Sequence, residues 1–475
     1  MINKKLLVAT AASALLAACA GLPGKPQPPK LNKEVPMAGV NTPTNGKWPD
    51  AQWWKRYNDP QLDALIDLAL KGSPTLAAAQ TRFDSAVQTV RAASAAAGVR
   101  ADANATWTRQ RISDSGLIPP QFLGFNWYSQ ADLGLKFSYT FDWWGKQHSQ
   151  IESVVDQMHA AEAENAAAAL ALTTAVADAY FGLQSDQARI EVAQVVVRGA
   201  VKIRELSELR VKSGIDSQDH LSQADSDVAL AREQIVQLEG SAKLRRVALA
   251  ALVGVSPEQL PALQSKPLPI VDAQLPANVS IDLIARRPDI IASRWQVESA
   301  ARSVDQARAE FFPDITINAL AGLSAIDMSK LMRASSSVFN FGPALHLPIF
   351  DGGLIRARYG ISQAQLDAAV ASYNTTLLDA ARDLSTQALT AQQINALRQE
   401  RNTQLVAAKA QFDSALAREK QGLTDLRVPL QVDVTYQQQL DAMLVLNTQA
   451  ISADIAMAKA LGGGYVPSTQ PEQTN

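Results

Sequence analysis

The chain has 475 residues, enough for two or three domains or for one very elongated one. Its 44 Lys and Arg nearly cancel its 46 Asp and Glu, and the net charge of -2 offers neither a basic surface for nucleic acid nor an acidic disordered tail. Hydrophobic residues reach 47%, but much of that is alanine, as in Ala166 to Ala169, which favours long, closely packed helices over a thick core.

Lys4-Lys5 and the apolar stretch Leu6 to Leu16 read as a secretory signal, too short for a membrane span. The signal, residues 1–18, ends in Leu16-Ala17-Ala18 before Cys19, the one cysteine of the chain. That arrangement is similar to a bacterial lipobox, in which the cysteine becomes the acylated first residue of the mature protein. With a single cysteine, no internal disulfide can form. A tether over 19–60 follows, with Pro23, Pro26, Pro28 and Pro29 keeping its start extended. Past residue 20 no apolar run of helix-spanning length is expected, so a mature chain that crosses a membrane must do so as β-strands.

The remaining elements come in two rounds. Gln61 to Ala97 reads as a helix of about 55 Å. Two strands follow, around Asp102 to Arg111 and at Leu133 to Phe141, where Leu133, Leu135, Phe137, Tyr139 and Phe141 alternate with polar or small residues. Lys146 to Lys212 contains no proline and predicts a helix of roughly 100 Å, and Asp216 to Val253 predicts a return helix of about 57 Å. The 3.5-residue spacing through Val192, Val196, Gly199, Ile203 and Leu206 is that of a coiled-coil seam. A proline-rich connector over 255–280 suits an irregular belt at half height. The second round has a helix at Ile281 to Glu310, then a strand through Ile315, Ile317, Ala319, Ala321 and Leu323. Another strand follows through Phe339, Phe341, Leu345, Leu347 and Ile349, then a long helix from Leu354 to Gln421 and a return helix from Asp425 to Leu461. A tail occupies 464–475.

The two rounds are an internal duplication, with repeats at 61–254 and 281–463. Phe141-Asp142 and Phe350-Asp351 stand 209 residues apart, as do Ala251-Leu252-Val253-Gly254 and Ala460-Leu461-Gly462-Gly463. Arg210 to Ile215 answers Arg418 to Leu423, and Ser73-Pro74 answers Arg287-Pro288. In each repeat two short helices laid end to end match one long helix. Four strands cannot close a membrane barrel, and an open edge in lipid is not tolerated. The chain must therefore oligomerise, a dimer giving eight strands and a trimer twelve. The fold class is that of an α+β membrane protein, a long α-helical coiled-coil barrel joined to a transmembrane β-barrel.

Several motifs stand in order along the chain: Trp53-Trp54 with Asp59-Pro60-Gln61-Leu62, Asp142-Trp143-Trp144-Gly145-Lys146, Arg287-Pro288-Asp289-Ile290, Ala307 to Pro313, Leu347 to Gly353, and Ala460 to Gly464. With them the sequence resembles the TolC-like outer-membrane efflux proteins, and within these the lipidated OprM/NodT branch that serves RND-type drug pumps. The resemblance implies a lipid-anchored homotrimer in the outer membrane, with a twelve-stranded barrel and a helical tunnel into the periplasm. It also implies docking to a periplasmic adaptor and an inner-membrane RND-type transporter, and a passive role in exporting small molecules such as drugs. It places the periplasmic entrance at the two hairpin tips, Gly214-Ile215 and Gly422-Leu423, which would meet the adaptor. Near them lie Asp216, Asp219, Asp425 and Arg427, as candidate gate charges or as solvated turn and N-cap residues. The sequence departs from the family one turn past the second tip glycine, where Val428 and Gln431 stand in place of aspartates, and Pro429 is also unusual. Arg398 on the second long helix reads as an exposed arginine away from the tips. No enzyme motif, metal-ligand spacing or cofactor loop is found, and the four histidines are scattered. A periplasmic adaptor would not carry four membrane strands, and a protein-secretion conduit is the alternative within the channel class.

Overall fold

The computed structural model describes residues 30–32, 46–115, 120–271, 275–276, 279 and 283–469. The signal and Cys19 lie outside the described residues.

Asp59 starts helix α1 (Pro60–Gly72) by accepting the Gln61 amide at 3.0 Å, with Pro60 at the first position, where its missing N–H costs nothing. The single helix expected from Gln61 to Ala97 is broken at Ser73. The ring of Pro74 disfavours helical geometry in the residue before it, and α2 (Pro74–Ala96) begins afresh. The second repeat repeats the event. Its helix starts not at Ile281 but at Pro288, after an extended Arg287 and a 3-10 turn at Leu283–Ala285. The duplicated X-Pro step thus sets both starts.

Helix α3 (Lys146–Lys212) runs for 67 residues, and so does its repeat counterpart α6 (Leu354–Lys420). The return helices are α4 (Gln218–Val253) and α7 (Arg427–Ala460), and α5 (Pro288–Ala309) is the repeat counterpart of α2. Both return helices begin two residues later than expected, which leaves Asp216 and Asp425 in the turns. Packing along α3 are α2 and α4, and along α6 are α5 and α7, while α3 also packs on α5 and α7. The protomer is therefore four helical columns wide, with α2 and α4 at one edge and α6 at the other.

Two glycines make the end-to-end stacking possible. Gly254 (φ 81°) ends α4 so close to the α1–α2 junction that a Cβ would lie 2.3 Å from the Gly72 carbonyl oxygen. Gly462 (φ 86°) ends α7 against Arg286 in the same way. The duplicated Ala-Leu motif marks this joint, with the glycine at its fourth position in the first repeat and at its third in the second.

The strands β1 (Arg100–Arg111), β2 (Trp127–Phe141), β3 (Asp314–Ala325) and β4 (Ser337–His346) form one antiparallel sheet in chain order, and the β2–β3 pair joins the two repeats. Strand β4 ends at His346, so Leu347 and Ile349 lie beyond it. Pro348 between them has no N–H to offer a ladder. Odd-numbered residues share one face, where Leu133, Leu135, Phe137, Phe339, Phe341 and Leu345 are all exposed. The other face is polar. Thr140 and Thr316 hydroxyls meet at 3.0 Å, and Asp132 accepts from Ser324 at 2.6 Å. An apolar exposed face over a hydrogen-bonded polar one is the pattern of a lipid-bathed barrel wall with a wet lumen. Among the described residues β1 and β4 are both open edges of the protomer's sheet.

One expectation is corrected. A stretch of α3 is long and apolar enough, by composition, to cross a membrane. Eight alanines stand among the apolar residues of 166–183, and half of that stretch is buried inside the protomer, where Leu172, Val176, Tyr180 and Phe181 join Trp53, Tyr57 and Leu62 in one core cluster. Small side chains let two helices approach closely, so the run serves packing.

The core sits near mid-height. Trp53, Trp54, Tyr57, Leu62 and Ile66 pack on Val176, Tyr180 and Phe181 of α3, closed by Val253 and Ile455. A second cluster joins Ile290 and Val297 to Tyr373, Leu377 and Leu384 of α6. Several polar groups inside are paired, although Trp53 Nε1 has no partner among the described residues. Tyr180 donates to Asp59 at 2.6 Å, Lys266 from the connector reaches Asp59 at 2.8 Å, and Tyr57 donates to Asp454 at 2.7 Å. Burial pushes both tyrosines up from the ordinary phenol value. Burial also pushes Asp59 up, but the bonds from Lys266 and Tyr180 outweigh it and hold the carboxyl below its usual range.

Candidate functional site at the hairpin tips

Both tips are built alike. Gly214 (φ 72°) and Gly422 (φ 73°) take the left-handed conformation that ends a helix. The Ile215 amide donates to the Arg210 carbonyl and the Leu423 amide to the Arg418 carbonyl, each at 2.9 Å. In such a cap the residue after the glycine commonly folds back onto an apolar neighbour in the last turn. Here that neighbour is an arginine in both repeats, and Ile215 and Leu423 stay 63% and 68% exposed. Four columns of helix thus end in two apolar points.

Between the points lies an ion-pair network. Arg210 grips Asp216 through Nε at 2.7 Å and Nη2 at 3.2 Å, a two-pronged contact, and reaches Asp425 at 3.3 Å. Arg427 donates to Asp216 at 3.0 Å and to Asp425 at 3.1 Å, while its backbone amide donates to Asp425 at 2.8 Å. His220 stands 3.8 Å from Asp216. The hydrogen bonds from Arg210 hold the Asp216 carboxyl below the usual range, and the Arg427 amide does the same for Asp425.

Of the four expected charges, Asp216, Asp425 and Arg427 come together. Asp219 does not; it is exposed on the first turn of α4 and pairs with none of the described residues. The network joins the tips of the two repeats within one protomer. Its fourth member, Arg210, was missed. The signal was its place in the last turn before Gly214, from which only a long side chain reaches over the turn. Arg418, the repeat counterpart, is exposed and pairs with none of the described residues, so the two repeats have diverged here. Arg398 is also not what its sequence suggested. It is half-buried and donates to the Val271 carbonyl at 2.8 Å, pinning the connector.

The family model for outer membrane efflux proteins matches residues 65–255 and 279–463. The chain belongs to the outer membrane efflux protein family. It is 33% identical to the multidrug resistance outer membrane protein MdtP of Shigella flexneri over 451 residues, 93% of this chain and 91% of that one. It is also 33% identical to the fusaric acid resistance protein FusA of Burkholderia cepacia, over 75% of this chain and 69% of that one. The solved outer membrane protein VceC of Vibrio cholerae is 31% identical, with a TM-score of 0.79 covering 88% of this chain and 100% of that one. The protein is an outer-membrane efflux channel, and these relatives favour efflux over protein secretion. In the efflux channel the sheet is one protomer's share of the membrane wall. Its helix-proximal rim carries aromatic residues, where Trp144 stacks on Phe312 at 4.5 Å and donates to the Pro313 carbonyl at 3.0 Å.

Proposed function

We propose that the chain is one protomer of a lipid-anchored homotrimer, a passive tunnel that carries drugs or other small toxic compounds from the periplasm to the exterior. The observation that carries this reading is the pair of unsatisfied edges running the length of the protomer. Among the described residues β1 and β4 lack outer partners in the sheet, which lipid does not tolerate. In the helical part Leu230, Val236 and Leu244 are exposed on α4, and Leu378, Leu389 and Val406 on α6. Edge-to-edge association of identical chains covers both pairs of edges at once, and three copies give twelve strands, a closed barrel. The names of the relatives, multidrug and fusaric acid resistance, support the substrate class.

Ile215 and Leu423 suit docking of a periplasmic adaptor that links the tunnel to an inner-membrane RND-type transporter. The network of Arg210, Asp216, Asp425 and Arg427 would hold the tips together in the shut state. The anchor at Cys19 is supported by reach. Asn32 donates its amide to Asn374, and Tyr373 donates to the Asn32 carbonyl, which fastens the tether to α6. From 354 to 373 that helix spans about 29 Å, and the thirteen residues from 19 to 32 reach about 43 Å, so an acylated Cys19 can regain the membrane.

The test is the mass and conductance of the detergent-extracted mature protein. Three protomer masses, an acylated Cys19 by mass spectrometry, and insertion retained in Cys19→Ser are expected. A conducting dimer would overturn the trimer, and an unmodified Cys19 would overturn the anchor.

A further inference from the structure

The strands pair without a register slip, so each face of the sheet can be read residue by residue. Charged strand residues Arg100, Asp102, Asp132, Lys136 and Asp314 all stand at even positions, on the lumen face. Among the described strand residues, only Arg109 and Arg111 are charged on the lipid face. They occupy consecutive lipid-facing positions at the end of β1 far from the helices, just beyond Trp107. The Arg109 guanidinium lies 5.9 Å over the ring of Trp127, and Arg111 faces Trp127 directly across the ladder. Arg111 also pairs with Asp114 in the following loop at 2.9 Å.

A lipid-facing arginine is costly at mid-membrane and tolerated at headgroup level. Two of them beside exposed Trp107 and Trp127 therefore mark the headgroup plane. The helices lie on the periplasmic side, so this plane belongs to the outer leaflet, whose lipid is a phosphorylated glycolipid. An aromatic ring beneath a guanidinium fixes its plane and leaves its N–H edge free for two-pronged contact with a phosphate. We propose that Arg109 and Arg111, set against Trp107 and Trp127, form a binding site for the phosphate groups of the outer-leaflet glycolipid. Such a site would seat the barrel at a fixed depth.

The site can be tested on detergent-purified full-length protein titrated with a bis-phosphorylated lipid A, the same lipid stripped of phosphate, and phosphatidylglycerol, each read by native mass spectrometry. Wild type should prefer the phosphorylated glycolipid, and Arg109→Gln with Arg111→Gln should weaken that binding about tenfold or more. Arg100→Gln with Lys136→Gln, which removes two lumen-face cations, should bind like wild type. Equal binding by wild type and the Arg109/Arg111 variant would overturn the site, as would equal binding of stripped lipid or equal competition by phosphatidylglycerol. The comparison of lipids on wild type needs no variant and stands even if the double variant inserts poorly. Insertion into outer membranes is scored separately, so a misplaced barrel would count against the location and not against the site.

Discussion

At mid-height Lys266 and Tyr180 hold Asp59, and at the tips Arg210 and Arg427 hold Asp216. The two carboxylates are equally covered by their neighbours, with side chains 11% and 10% exposed. What differs is the ground behind them. Around Asp59 stand Trp53, Tyr57, Leu62 and Tyr180 of a continuous core, whereas the chain neighbours of Asp216, Lys212 to Ile215 and Ser217 to His220, are exposed. A polar contact backed by core cannot break without leaving a buried group unpartnered. The same contact in an exposed turn exchanges for hydration at little net cost, and so can serve as a latch.

The strongest way to break this comparison is Asp59→Ala. It removes the N-cap of α1, about 1 kcal/mol, and leaves the Tyr180 hydroxyl proton without its acceptor, about 1–3 kcal/mol more, although Gln61 still donates to that hydroxyl. Thermal unfolding of the protomer fold should show the loss, and a change within measurement error would mean that mid-height tolerates water after all. Arg427→Ala should leave unfolding unchanged and raise single-channel conductance in planar bilayers. Arg418→Ala is the matched comparison, since it is an exposed arginine in the last turn of α6, at the same tip. Equal conductance from both variants would reduce the tip network to solvated turn residues.

Smaller effects follow from solvent. Raising salt towards 1 M shortens screening to about 3 Å and should partly mimic Arg427→Ala at the tips, with the mid-height pairs unaffected. Both Asp216 and Asp425 have folded pKa values below the unfolded carboxylate. Their pairing is therefore fully present above the ordinary carboxylate range and is lost as pH falls through the depressed values. Conductance should stay flat from about pH 8 to pH 5 and rise only below about pH 4. A rise already between about pH 8 and pH 5 would overturn the assignment of the latch to these two carboxylates.

Much of this molecule was written in local pattern. The proline-free runs Lys146 to Lys212 and Leu354 to Gln421 gave the long helices almost to the residue, because over so many turns helix propensity and apolar spacing agree. Alternation gave β2 from Leu133 to Phe141 but not its start at Trp127, and the repeated Phe-Asp and Ala-Leu-x-Gly motifs gave the duplication. The break at Ser73 was equally local, since any X-Pro step announces it, and its repeat counterpart Arg287-Pro288 was already in view.

Tertiary structure decided the rest. Nothing in the spacing of Arg210 and Asp425 says that they meet, because they are 215 residues apart and are joined only when two hairpins of equal length lie side by side. Asp219 sits three residues from Asp216 yet stays exposed outside the network, since neighbours at that spacing share a helix face only inside a helix, and Asp216 lies in the turn before α4 begins. Arg398 looked free and proved to be a clamp on Val271 for the same reason. Sequence fixes which side chains are available and how each helix or strand is phased, but contacts between distant segments depend on how those elements are stacked, and that is set by packing of the whole.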